Sequence, residues 1–160
     1  MRLEHSSSYY KYTVTLISSH AKSCFGVPGL KYRLMDILAC PICKNFPLQL
    51  YVFHENKYEY NVDLGRKVLC EEYCGLNAKF LRDLDSGSID CKACLMREVD
   101  EGVLFCSKCG RWYPIIEEIP HMLPDDLRDK NSDLSFLKKY ANVLPANIVL
   151  KGLPWNLSTN

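Results

Sequence analysis

Leu34, Ile37 and Leu38 stand at i, i+3 and i+4, so Tyr32–Leu38 reads as a short helix leading to Cys40. Leu48–Val52 and Tyr58–Val62 alternate in character on either side of His54-Glu55-Asn56-Lys57, the pattern of a hairpin. From Leu64 to Leu84 the apolar residues Val68, Leu69, Leu76, Phe80, Leu81 and Leu84 keep approximate helical spacing, interrupted near Gly75 and ended by the turn-forming Ser86-Gly87-Ser88. Val103-Leu104-Phe105 and Arg111–Ile116 read as strands flanking a cysteine-containing turn. Pro124–Asp133 is polar and loop-like. Leu134, Leu137, Tyr140, Ala141 and Leu144 then mark a last helix stopped by Pro145, and the tail carries an extended Ile148-Val149-Leu150 before Pro154-Trp155.

The chain has 160 residues, 48% hydrophobic and 24% charged, which fits one ordinary domain with an appendage. Twenty Lys+Arg against nineteen Asp+Glu give a net charge of +1, so nucleic acid would have to be held by a local patch rather than by overall charge. No two of the eight glycines are two apart, so no G-x-G turn exists to bring backbone against a dinucleotide. In the N-terminal thirty residues the longest apolar stretch, near Val14–Ile17, is broken by Thr15, short of the roughly 7–15 residues of a secretory core. Nothing elsewhere approaches the roughly 18–20 apolar residues of a membrane span. The expected location is cytoplasmic. Residues 1–30 read as a poorly ordered extension or a mis-assigned start, in which Cys24, four residues after His20, is a free thiol rather than a nucleophile with its base.

Nine cysteines are the outlier, and eight of them form four close pairs: Cys40-x2-Cys43, Cys70-x3-Cys74, Cys91-x2-Cys94 and Cys106-x2-Cys109. A C-x2-C loop wraps two thiolates around one side of a cation, and two such knuckles complete the four-sulfur tetrahedron that zinc prefers. Gly110 suits the left-handed conformation that often follows the second ligand, and Lys44, its counterpart after Cys43, suits it less. Cys40 and Cys43 with Cys106 and Cys109 form the favoured set, because each pair borders a predicted strand, as in a zinc ribbon. The sequential set Cys91, Cys94, Cys106 and Cys109 has acceptable spacing too. Cys70, Cys74, Cys91 and Cys94 are then a second zinc site, disulfides or unpaired thiols. Four thiolates leave no open coordination position, so the metal is structural, contributing on the order of 10 kcal/mol to folding. His54 and His121 read as surface or packing residues.

The predicted architecture is α+β: a small zinc-ribbon β core in residues 31–62 and 99–124, a mainly helical insert in 63–98 between the knuckles, and a C-terminal helix and tail in 125–160. Arg33-Leu34-Met35-Asp36-Ile37-Leu38-Ala39-Cys40-Pro41-Ile42-Cys43, with the downstream run from Leu104 through Cys106-Ser107-Lys108-Cys109-Gly110-Arg111-Trp112-Tyr113-Pro114-Ile115-Ile116 to Ile119-Pro120-His121-Met122-Leu123, resembles a known family. It is the family of small zinc-ribbon activator subunits of S-adenosylmethionine-dependent methyltransferases, in its longer archaeal and eukaryotic form. The matching stretches cover about a third of the chain.

That resemblance implies a chain without catalysis of its own. It implies a subunit that solubilises and activates several methyltransferases of tRNA, rRNA and release factor, as mutually exclusive heterodimers that meet RNA only through the partner. The contact it implies is a β-strand zipper and an apolar patch from Leu34, Leu38, Ile115, Ile116, Ile119, Pro120, Met122 and Leu123. It assigns Zn2+ to Cys40, Cys43, Cys106 and Cys109. The family commonly has an Asp-Gly turn before Ile-Pro, whereas this chain has Glu117-Glu118, neither of which adopts positive φ cheaply.

The residues point the same way without the family, since a chain with no nucleotide fingerprint and no open metal site, but with apolar residues beside a rigid ribbon, suits binding another protein. The plainer alternative is that Ile115–Leu123 fills the ribbon's own core. The functional rival is a zinc ribbon that binds nucleic acid directly, stacking bases on Trp112 and Tyr113 between Lys108 and Arg111. A further rival, a thiol oxidoreductase using Cys91 and Cys94, lacks the βαβ context such a motif needs.

Overall fold

The computed structural model describes residues 30–59 and 68–158. Cys24, His20 and the expected N-terminal extension up to residue 29 lie outside them, as do residues 60–67.

One long strand organises the molecule. β5 (Arg97–Phe105) pairs antiparallel along its length with β2 (Gln49–Lys57). On its other edge it pairs with β1 (Leu30–Lys31) at Val99 and with β6 (Trp112–Ile116) at Gly102 to Phe105. β7 (Ile119–Pro120) then pairs with β6. The turn expected at His54–Lys57 is strand instead: these residues continue β2 and pair with β5, while most of the expected second arm, residues 60–62, lies outside the described residues. β5 serves two cores because its successive side chains point to opposite faces of the sheet, and its register against β2 shifts between Val52 and Glu55.

Val99 and Leu104 join Leu30, Met35, Leu48, Tyr113 and Ile115 in one core, which also packs against the cysteine knuckles. Val103 and Phe105 join Trp112 in the other, under the C-terminal helices.

Those helices are α2 (Lys130–Lys139) and α3 (Ala146–Lys151). The Asp129 carboxylate accepts the Ser132 N–H at 2.7 Å and caps α2, whose Phe136 and Leu137 are buried against the sheet. Tyr140 stacks on Phe53 with ring centroids 4.0 Å apart. Ile148-Val149-Leu150 is helical, not extended: Ile148 and Val149 point into the core and Leu150 points out. The tail then returns to β6, where the Trp112 N–H donates to the Leu153 carbonyl at 3.0 Å and the Trp112 indole N–H to the Trp155 carbonyl at 2.8 Å.

The region between the knuckles departs furthest from expectation. The helical spacing of 64–84 gives no α-helix among the described residues of that stretch. It gives β3 (Tyr73–Cys74) paired with β4 (Lys79–Phe80) and short 3-10 turns, and the segment's α-helix is the five-residue α1 (Cys91–Leu95). The cause lies outside the segment. The Asp36 carboxylate, at the end of the 3-10 turn Tyr32–Asp36, accepts the N–H groups of Glu71, Glu72 and Tyr73 at 2.6, 2.9 and 2.6 Å, holding this stretch in a tight wrap. Gly75 lies so close to the Tyr32 carbonyl and to Met35 that any side chain there would collide with them. Ala78, at φ 50°, completes the reversal.

The Glu117-Glu118 turn is built at positive φ in both residues, 50° and 67°. That is the twist a two-residue link between β6 and β7 needs. Glu118 is held there from all sides: its carboxylate accepts from Asn56 at 2.8 Å and from the Tyr58 hydroxyl, its N–H donates to Asp100, and its carbonyl accepts from Leu30.

Candidate functional site

Cys40 and Cys43 precede β2, and Cys106 and Cys109 join β5 to β6, so pairing within one sheet carries the two loops together. Each loop closes in the same way. In the first, the Lys44 N–H donates to the Cys40 carbonyl and the Cys40 N–H to the Asn45 carbonyl, both at 2.9 Å. In the second, the Gly110 N–H donates to the Cys106 carbonyl and the Cys106 N–H to the Arg111 carbonyl, both at 2.8 Å. Gly110 takes φ 75° and Lys44 φ 58°, so lysine performs the bend that glycine makes without strain. The Lys44 ammonium secures the loop by donating to the Pro41 carbonyl at 2.8 Å.

The four sulfurs lie within 4.8 Å of one another, the one cluster of three or more potential ligands so gathered among the described residues. Cys40 and Cys109 are separated by 3.7 Å and Cys43 and Cys106 by 3.4 Å. A tetrahedral ion with metal–sulfur bonds of about 2.3 Å places its ligands about 3.8 Å apart, so the cluster is shaped to hold a metal ion. The electrostatics agree. Burial would raise the Cys40 thiol, but N–H groups of Cys43 and Ile42 and the Tyr113 hydroxyl outweigh it and hold it at about 6. Burial, reinforced by the neighbouring Cys43 and Cys109 thiols, pushes Cys106 up to about 12.

Two side chains that spacing did not single out as support serve this cluster. Tyr113, fully buried, places its hydroxyl 3.3 Å from the Cys40 sulfur. Arg111 hydrogen-bonds the Cys109 sulfur and is clamped by Asp125, with nitrogen–oxygen distances of 2.8 to 3.1 Å. A guanidinium there offsets the excess negative charge of four thiolates around a divalent ion. The signal was available in the sequence as Arg111-Trp112-Tyr113 directly after the knuckle, where it also suggested base stacking. Trp112 and Tyr113 are fully buried and Arg111 is paired, which leaves Lys108 alone of that group as an exposed cation.

Cys70, Cys74, Cys91 and Cys94 are all free thiols and surround a separate small cavity. The predicted partner residues divide. Ile115 is fully buried and belongs to the core, and Ile116 packs toward the C-terminal helices. Leu34, Leu38 and Met122 are half-buried against the knuckle-side core. From β7 onward exposure alternates: Ile119, His121 and Leu123 face out, Pro120 and Met122 face in. Ile119 is 54% and Leu123 42% exposed. Ile37, which helical spacing placed on the inner face with Leu34, is instead 73% exposed, because the turn is of 3-10 type and ends at Asp36.

Compared with known families, the chain matches the model of the Trm112p-like protein family over residues 31–118. One solved structure, described as the E. cuniculi Mtq2–Trm112 complex responsible for the methylation of the eRF1 translation termination factor, contains a chain similar in sequence at 21% identity. That similarity covers 59% of this chain and 95% of that one, with a TM-score of 0.43. None of the curated proteins compared with the chain matches it.

Proposed function

The chain belongs to the Trm112p-like family, and from that premise we propose that it is a non-catalytic subunit that solubilises and activates S-adenosylmethionine-dependent methyltransferases in the cytoplasm. Its partners modify tRNA, rRNA and release factor, each pairing in turn with the same surface. RNA is met only through the partner. Zn2+ on Cys40, Cys43, Cys106 and Cys109 locks the two knuckles together and, with four thiolates around it, has no position left for substrate. No helix among the described residues is long and apolar enough to cross a membrane.

The observation that carries this reading is the segment 119–123. It begins with the two-residue edge strand β7, alternates side chains in and out, and leaves Ile119 and Leu123 exposed beside a ribbon that the metal makes rigid. An edge strand with apolar outward residues is suited to adding onto the sheet of a partner. Burial of Trp112 and Tyr113 weighs against direct stacking on nucleic acid.

Capture of the tagged full chain from lysate in high salt, with identification of the retained proteins, tests the proposal. Several different methyltransferases are expected to stay bound, because an apolar zipper is insensitive to salt. Recovery of no methyltransferase, with RNA held only in low salt, would overturn it in favour of a nucleic-acid-binding ribbon.

A further inference from the structure

Four cysteines have no part in the ribbon, and they come from two stretches of chain that the fold brings face to face. Cys70 and Cys74 flank the stretch wrapped on the Asp36 carboxylate. Cys91 and Cys94 lie one turn apart on α1, whose N-terminus is fixed by the Asp90 carboxylate accepting the Ala93 N–H at 2.8 Å. All four line one cavity of about 10 Å³, with Arg33 and Asp90 also in its wall. That volume fits a single water-sized sphere and no organic ligand.

We propose that Cys70, Cys74, Cys91 and Cys94 form a second structural metal site, holding one Zn2+ with four thiolates. Two pairs, spaced x3 and x2 and carried on independently anchored segments, are the ligand arrangement of a closed zinc site. The Arg33 N–H donates to the Cys94 sulfur, the kind of backbone donor that steadies a metal-bound thiolate. The sulfurs are less tightly gathered than those of the ribbon.

The surrounding segment has reason to need such a staple. Its elements are two-residue strands, three-residue turns and a five-residue helix, and it buries few large side chains, chiefly Tyr73. Small units with so little core are commonly held by metals or disulfides.

The test is metal content and thiol state of the purified, reduced full chain. Native mass spectrometry is expected to show two zinc ions per chain, and iodoacetamide is expected to leave Cys70, Cys74, Cys91 and Cys94 unlabelled until a chelator is added. The Cys91→Ser/Cys94→Ser double variant is expected to keep one zinc, and its Co2+ titration to saturate at one tetrahedral-thiolate equivalent where the natural chain takes two. One zinc in the natural chain with these four thiols labelled at once overturns the site. So does one zinc with the same cysteines joined as disulfides in a peptide map. Both readings on the natural chain stand even if the double variant does not fold, and neither depends on a methyltransferase partner.

Discussion

The Tyr113 hydroxyl sits 3.3 Å from the sulfur of Cys40, and both residues are completely buried. Tyr113 comes from β6, on the second knuckle's side, while Cys40 belongs to the first, so the contact ties the two halves of the metal cluster together through protein alone. Donation to the sulfur favours the thiolate and fixes its direction. Tyr113→Phe removes that donor and preserves the packing. Metal affinity is expected to fall by about 10- to 100-fold, the usual effect of losing a group that orients a ligand. Competition with a chromophoric chelator measures it, and unchanged affinity means the hydroxyl has no share in holding the metal.

The turn at Glu117-Glu118 yields a contrasting pair. Both residues hold positive φ, but Glu117 is exposed while the Glu118 carboxylate is hydrogen-bonded by Asn56 and Tyr58. Glu117→Gly relieves a left-handed strain of roughly 1–2 kcal/mol against a smaller gain in unfolded-chain entropy, so it is expected to stabilise by up to about 1 kcal/mol. Glu118→Gly relieves the same strain but loses two hydrogen bonds to a charged group, and is expected to destabilise by about 1–2 kcal/mol. Denaturant unfolding of the two variants checks the sign of each, and equal shifts would show that the Glu118 contacts contribute nothing.

The knuckles and the strands beside them are legible in the sequence because their signals are local: two ligands with two residues between them, and the short apolar run Trp112–Ile116 beside them. Pairing of the first knuckle with the last could be favoured because each borders a strand, and β5 supplies the sheet that joins them. What could not be read depends on residues far away in sequence. Leu69 to Leu84 has helical spacing, but Asp36 takes the N–H groups of residues 71–73 and Gly75 is pressed against Tyr32 and Met35. Ile148-Val149-Leu150 has strand-like residues in a helix because the core under Trp112 has room for Ile148 and Val149 on one face. Helical spacing likewise buries Ile37, although a 3-10 turn leaves it outside.

Asp36 gives the segment between the knuckles a pH dependence. Burial acts to raise its carboxyl, but the N–H groups of Glu71, Tyr73 and Glu72 outweigh that and lower it below its ordinary value. A depressed folded value means the stabilisation is present above the ordinary carboxylate pKa of about 3.9 and is lost as pH falls through the folded value. Hydrogen exchange of residues 68–95 is therefore expected to show protection at neutral pH that Asp36→Asn reduces. The difference between the natural chain and the variant is expected to shrink as the solution is acidified below the carboxylate range. A variant as well protected as the natural chain at neutral pH would show that the wrap holds without the charge.

The outward side chains of the 119–123 segment are the sharpest probe of the partner surface. Ile119 and Leu123 are exposed, at 54% and 42%, whereas Met122 packs on the core shared with Leu34 and Leu38. A glutamate at Met122 therefore disturbs folding and surface together and cannot separate them. Ile119→Glu and Leu123→Glu are expected to leave thermal stability and metal content unchanged, since neither side chain is buried in the free chain. If these side chains become buried in a methyltransferase complex, each is worth about 1.5–3 kcal/mol of transfer, so each variant is expected to weaken partner binding at least about tenfold. Titration calorimetry against a purified methyltransferase partner measures the loss. Unchanged affinity in both variants, with Ile115 already inside the core, would remove this segment from the interface and direct attention to Ile37, the most exposed large apolar side chain among the described residues.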